Sequence, residues 1–389
     1  MGKNPLLILE NLGQSIWIDF FQRTALESGE IQKLIDRDGV SGVTSNPSIF
    51  EKDITGSHAY EAAVRSLART GKRAEEIYLA LTVEDIRRAA DLFRPVYDRL
   101  DGRDGFVSLE VSPLLAHDTA GTIAEARQLW SLVDRPNLMV KVPGTLEGLP
   151  AIQTLIGEGI NINITLLFGL ERYRQVAEAY LSGLESLALR NRPLEKSASV
   201  ASFFLSRIDV LADPLLEKVR LAGGPAAEPA AGLKGTLAVA SARLAYRIYQ
   251  EISRSSRFRR LAEAGARPQR LLWASTSTKN PEYSDVKYVE PLIGAETINT
   301  LPLETLSAYR DHGDPALRLD AGVEQAYQTM DHLDQAGIDL AALTQQLEDE
   351  GVEKFTQAYH LSLEALEVQR LAAVKKTAAR RGQAASGRN

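Results

Sequence analysis

The chain contains no cysteine, so neither disulfides nor thiolate metal sites can stabilise it, and a reducing compartment is the natural setting. Histidine is also scarce. The five residues (His58, His117, His312, His332, His360) fall in expected helices or loops without HExxH spacing, which argues against a zinc hydrolase. No apolar run approaches the roughly 18 residues that would span a bilayer. The N-terminal MGKNPLLILENLGQ is a poor secretory signal, because its short apolar stretch meets Glu10 and no small-residue cleavage site follows. No GxGxxG follows a strand and no GxxxxGK[ST] occurs, so neither a dinucleotide nor a P-loop nucleotide is indicated.

What is present is the composition of a globular chain, with 44% apolar and 25% charged residues over 389 positions. The net charge is −6, which disfavours nucleic acid as the main ligand. The sign is unevenly spread. From Arg370 onward there are basic residues and no acidic ones. The end, KKTAARRGQAASGRN, reads as a solvated, disordered terminus, with contact to RNA or anionic lipid as the alternative.

Short apolar, β-branched runs alternate with amphipathic stretches. Strands are expected at 15–20, 39–44, 105–111, 137–142, 159–165, 198–203, 270–274 and 296–300, with helical patterns at 122–133, 146–156, 170–189 and 237–252. Alternation of this kind signals a parallel sheet, and eight strands at this length favour closure into a single (β/α)8 TIM barrel of the α/β class. The connection 47–100 is too long for one βα unit and reads as a helical insertion after the second strand, with helices at 57–68 and 83–100. A further helical set, 303–374, follows the last strand. Within it Asp339 is placed to cap a helix, and Val352, Phe355, Tyr359, Leu363 and Leu366 recur at helical spacing. The stretch 223–232, rich in Gly, Pro and Ala, reads as a surface loop. The expected organisation is one barrel domain over 1–374 and a basic tail over 375–389.

Barrel strands are apolar where they meet the core, and barrel active sites lie at the carboxyl ends of strands, so polar residues there require an explanation. The list is short: Asp19 in SIWIDF, Asn46 in VTSNP, Glu110 in FVSLEVSP, Lys141 in NLMVKVPGT, Asn163 and Thr165 in INITLLF, Ser202 and Arg207 in SVASFFLSR, and Ser275, Ser277 and Lys279 in LLWASTSTKN. Any one of these could be a strand-edge residue or half of an ion pair. Taken together they imply convergence, because burying so many polar groups for structure alone would be costly. A lysine amine in apolar surroundings can serve as a nucleophile toward a carbonyl. For Lys141 the alternatives are phosphate binding as an ammonium and pairing with Asp19 or Glu110. Asp19 and Glu110 could also hold Mg²⁺.

The segments IWIDF, GVTSNPSIF, VSLEVSP, LMVKVPGT, NINITLLF, SFFLSRID and ASTSTKNP, in this order, resemble the signature blocks of the transaldolase family, with further likeness in GVEKFTQAY. The likeness is to the longer bacterial form sometimes fused to glucose-6-phosphate isomerase; no isomerase domain is present. The resemblance implies a (β/α)8 barrel that needs no cofactor or metal. Such an enzyme transfers a dihydroxyacetone unit from sedoheptulose 7-phosphate or fructose 6-phosphate to glyceraldehyde 3-phosphate or erythrose 4-phosphate, in the pentose phosphate pathway of the cytoplasm. It further implies that Lys141 forms the Schiff base, that Asp19 takes the C4 hydroxyl proton, and that Glu110 acts through a water held by Thr165. Asn46 and Asn163 would bind the three-carbon intermediate, Ser202 would position hydroxyls, Arg207 would bind the phosphate with Lys279 at a second phosphate position, and Ser277 would contact substrate. Lys279 stands where many relatives carry Arg, which exchanges a bidentate fork for a point charge. Phe204 stands near the point where free aldolases place a hydrogen-bonding group, and its apolar ring favours transfer over the alternative, a fructose-6-phosphate aldolase-like lyase. The expected partners are sugar phosphates, with neither nucleic acid nor membrane, and the expected assembly is a monomer or homodimer.

Overall fold

The structure, a computed structural model, describes residues 4–386, with side chains described through Lys375. Seven parallel strands form one curled sheet: β1 Gln14–Ile18, β2 Val107–Glu110, β3 Leu138–Pro143, β4 Ile162–Leu167, β5 Ser199–Phe204, β6 Arg270–Ala274 and β7 Thr297–Leu301. Their order is β1-β7-β6-β5-β4-β3-β2. Every position of β3, β4 and β5 is buried, as parallel strands lined by side chains inside and helices outside must be.

The expected strand at 39–44 is not a strand of its own. Val43 alone bridges, to Ile18 on one side and Val107 on the other. The chain around it is nevertheless hydrogen-bonded both ways. Ile18 N–H donates to Gly42 O and Val43 N–H to Phe106 O, each at 3.0 Å, while Thr44 N–H donates to Ile18 O at 2.9 Å and Ser108 N–H to Val43 O at 3.0 Å. This segment is the shortened eighth stave that joins β1 to β2. Two local facts shorten it. A Cβ on Gly42 would lie 2.4 Å from the Trp17 indole, so the backbone runs hard against that ring and only glycine fits. Three residues past Val43, Asn46 caps a helix that Pro47 opens, and proline at that position starts a helix and ends pairing.

The insertion that follows comprises the helices Pro47–Gly56, Glu61–Arg69 and Ala74–Arg99. A buried polar network ties them to the barrel. Arg23 meets Asp85 at 2.7 Å, with the two side chains 5% and 0% exposed, and Tyr60 Oη donates to Asp53 and Asp85. Sequence reading also misjudged 223–232. It contains the helix Ala227–Ala231, with Ala230 buried, because an alanine-rich run has high intrinsic helix propensity and here finds an apolar surface to cover.

Three helices follow β7: Leu303–His312, Val323–Gln335 and Leu340–Ser386. Asp339 caps the last of these, accepting from the N–H groups of Ala341 and Ala342 at 2.8 and 3.2 Å. That helix crosses the carboxyl end of the barrel. Its Gly351 packs so closely on Leu166 that a Cβ would lie 2.8 Å from the leucine side chain. Leu166 itself is left-handed (φ +55°), within a register break between Ile164 and Leu167. Strand irregularities of this kind re-aim side chains beside sites. Apart from Lys375, the tail at 375–389 lies outside the residues whose side chains are described. Among the described residues no helix is long and apolar enough to cross a membrane.

Candidate active site

Register brings the central groups together. Glu110 on β2 pairs with Lys141 on β3, which in turn pairs with Asn163 on β4, so the three lie side by side in one layer of the barrel. Lys141 Nζ sits 3.4 Å from Glu110 Oε2, with the two side chains 4% and 3% exposed, and donates to Ser45 O at 3.1 Å. Asn163 donates to Ser108 Oγ at 2.9 Å and accepts from Ser202 Oγ at 2.6 Å, which locks its amide in orientation. Asp19, one residue beyond β1, accepts from Thr44 Oγ1 at 2.9 Å; that hydroxyl is also 2.8 Å from Thr300 Oγ1.

Burial sets the acid–base character of this layer. It pushes Glu110 up to about 7, with Lys141 pulling against it and Asp19 adding to it. Asp19 is raised as well, again by burial first, with Lys141 and the Thr44 hydrogen bond opposing. Asp19 is partly buried and lines the mouth of the barrel. In both carboxyls, loss of hydration outweighs the attraction of the neighbouring lysine. Both Glu110 oxygens and Thr165 Oγ1 are among the buried side-chain oxygens without a well-formed hydrogen bond in the protein, Glu110 keeping only its ion pair to Lys141. Buried polar atoms left without a full set of hydrogen bonds are costly.

The mouth is a cavity of about 620 Å³ lined by Asp19, Asn46, Lys141, Ser202, Phe204, Arg207, Ser277 and Lys279. Ser275 lines it too, so nine of the twelve residues singled out in the sequence face one space. The other three do not line it. Asn163 and Thr165 are fully buried in the barrel, and Glu110 instead lines a smaller neighbouring cavity, to which Asn46 also belongs. Asn46 Oδ1 accepts from Ile49 N–H at 3.1 Å, which leaves its amide nitrogen for a ligand. The Phe204 ring packs on Phe168 with centroids 5.2 Å apart.

Sequence reading missed Lys52 and Lys354, which also line the mouth. Lys52 lies on the first insertion helix and Lys354 on the last helix, elements whose approach to the mouth no local pattern announces. The one signal was GVEKF, noted for likeness and not for its lysine. With them the cavity wall carries five cations, Lys52, Lys141, Arg207, Lys279 and Lys354, against two carboxylates, Asp19 and Glu304, in a chain of net charge −6. Burial holds Arg207 below the usual guanidinium range, with Glu350 opposing. The Arg207 charge, then burial, then Lys279 and Lys52 hold Lys354 below the usual lysine range. Cations that repel one another across a concave wall form a ready seat for an anion.

Fold and mouth together define a parallel α/β barrel shaped to receive an anionic small molecule over a buried lysine. Comparison with known proteins takes this further. The pattern of the transaldolase/fructose-6-phosphate aldolase family matches residues 16–366. A transaldolase of Thiobacillus denitrificans is 48% identical over 355 residues, 91% of this chain and 97% of the relative. One of Mycolicibacterium smegmatis is 46% identical, covering 97% of this chain and 100% of the relative. One of Trichodesmium erythraeum is 45% identical over 94% and 98%. The chain belongs to the transaldolase/fructose-6-phosphate aldolase family.

Proposed function

We propose that this protein is a cytoplasmic transaldolase of the pentose phosphate pathway, moving a dihydroxyacetone unit between sugar phosphates through an imine on Lys141. The observation that carries the proposal is the buried Lys141–Glu110 pair at 3.4 Å in a mouth that four further cationic side chains line, Lys52, Arg207, Lys279 and Lys354. The lysine meets a carbonyl while the cations hold a phosphate.

In this reading the Lys141 amine adds to the ketose C2 carbonyl. Glu110, pushed up to about 7 by burial, is present in both forms near neutrality. Its proton goes to the carbinolamine hydroxyl, which departs as water as the nitrogen lone pair forms the C=N bond. Asp19 then takes the C4 hydroxyl proton as the C3–C4 bond breaks, and the bonding electrons move into the iminium to give an enamine. The first aldose phosphate leaves and a second aldehyde enters. The enamine carbon attacks it, Asp19 returns its proton to the new hydroxyl, and water with Glu110 as base releases the product. Asn163, fixed by Ser108 and Ser202, and the Asn46 amide hold the three-carbon intermediate. Arg207, Ser277, Lys279 and Lys354 hold the phosphate. The Phe204 ring offers water no hydrogen bond, which favours transfer to an aldehyde over release of dihydroxyacetone.

Incubation with fructose 6-phosphate and borohydride tests the reading. A reduced three-carbon adduct on Lys141, lost in Lys141→Ala, is expected. An unmodified Lys141 in a folded, substrate-binding sample overturns it.

A further inference from the structure

The helix Ser206–Ala222 follows β5, and its two sides do different things. Arg207 and Val210 face the mouth. Asp209 and Asp213 are one turn apart, and Asp209 lies roughly 200° round the helix from Arg207, so both carboxylates point away from the mouth. What they meet is the far part of the segment joining β6 to β7. Tyr288 Oη donates to Asp209 Oδ2 at 2.9 Å, and Lys287 Nζ lies 3.1 Å from the same oxygen. Tyr283 Oη donates to Asp213 Oδ2 at 2.6 Å. The other two carboxylate oxygens accept from the N–H groups of Ala238 and Gly235 at 2.9 and 2.7 Å. Lys287 Nζ also stands 3.3 Å from the centre of the Tyr283 ring, which ties the two attachments together.

The near part of the same segment carries Ser277 and Lys279 into the mouth, and it is fixed at its start as well. Ser275 is left-handed (φ +55°). Its carbonyl accepts from Ser206 N–H at 3.0 Å, and its hydroxyl is 2.8 Å from Ser206 Oγ. Lys279 therefore stands midway between two attachments, at Ser275 and at Tyr283, to the one helix that presents Arg207. Such bracing has an electrostatic reason. Arg207 and Lys279 both depress Lys354 in the empty mouth, and like charges gathered at one place push apart. A lysine is also a point charge on a flexible stem, so its aim depends on where its backbone is held. We propose that Asp209 and Asp213 are positioning residues for phosphate recognition: by gripping Tyr283, Lys287 and Tyr288 they hold Lys279 at the spacing from Arg207 that one phosphate requires. This rests on the sugar-phosphate reading given above. None of these five residues lines the mouth, so the clamp acts on affinity for the phosphate and not on the lysine chemistry. Holding the cations in place before the ligand arrives lowers the ordering cost of binding.

The test uses Tyr283→Phe and Tyr288→Phe in the full chain, singly and together, which remove the hydroxyl grip and keep both rings. Calorimetry with inorganic phosphate reads the seat without any turnover. Each variant is first shown to unfold cooperatively. In the paired variant the phosphate Kd and the KM for fructose 6-phosphate should each rise about five-fold or more, while kcat, and kcat/KM for unphosphorylated fructose, stay within roughly two-fold. Placed in a Lys279→Met background, the same pair should raise neither further, because non-additivity marks residues that act through one another. A phosphate Kd within roughly two-fold of wild type, an equal loss for fructose and its phosphate, or an undiminished rise in the Lys279→Met background overturns the clamp. A wild type that binds phosphate without transaldolase turnover overturns the catalytic reading, and the phosphate titrations still decide the clamp. A wild type that binds no phosphate overturns both. If the paired variant does not fold, Tyr283→Phe, at a half-buried position, decides alone by the same criteria.

Discussion

Replacing Arg207 with alanine separates substrate recognition from stability. The guanidinium lines the mouth among Lys52, Lys279 and Lys354, is held below its usual range by burial, and is the first cause of the depression at Lys354. In the empty protein it contributes desolvation and repulsion; only a bound dianion repays them. Charge-assisted hydrogen bonds contribute about 1.5–3 kcal/mol each, and a fork-shaped guanidinium offers a phosphate two. Lys279 and Lys354 remain and recover part of the loss, which leaves roughly 3 kcal/mol. At about 1.4 kcal/mol per tenfold, that is on the order of a 100-fold fall in kcat/KM for fructose 6-phosphate. Unphosphorylated fructose, assayed beside it at saturating acceptor, should change little. Thermal unfolding should show Arg207→Ala at or above the wild-type Tm without ligand. Inorganic phosphate should raise the wild-type Tm and raise that of the variant much less, because only ligand binding to the native state shifts the midpoint. Equal losses for fructose and its phosphate, or a Tm several degrees lower, would refute the assignment.

Other residues give independent checks. Glu110→Gln should remove a pH limb: below about 7 Glu110 holds the proton it donates, so wild-type imine formation should decline as pH rises through that value, while the variant stays slow and flat in a stopped-flow pH series. Asp19→Asn should still form the imine but not cleave, so mass mapping after borohydride should find the intact six-carbon sugar phosphate on Lys141 in place of a three-carbon adduct. Arg23→Ala should cost about 3–5 kcal/mol in urea unfolding, because it strands Asp85, whose side chain is 0% exposed, without its cation. Its effect on KM should be small, since Arg23 lies outside the mouth.

Lys141, Glu110 and Asp19 were legible in the sequence because a charged residue inside a β-branched run breaks a local pattern, and strand ends in a barrel converge. The motif blocks from Ile16 onward added the role proposed for each group. Lys354 was not legible. Its own surroundings describe an amphipathic helix with an exposed lysine, and it reaches the mouth only because Gly351 allows that helix to touch the bulge at Leu166. The eighth stave was overestimated for a related reason. GVSGVT looks like a strand, but the Trp17 indole against Gly42 and the proline at 47 confine its pairing to Val43.

The sequence by itself determined the alternation that makes a parallel barrel and the polar residues at its strand ends, because periodicity and exceptions to it are properties of neighbouring positions. Only the tertiary structure decided the rest. It separated Glu110 from the mouth and set it beside a second cavity, raised its affinity for protons by removing water, and gathered Lys52, Arg207, Lys279 and Lys354 from four different segments into one cationic wall. Hydration lost on burial, and charges brought together from distant parts of the chain, depend on packing in space, which no local stretch of sequence encodes.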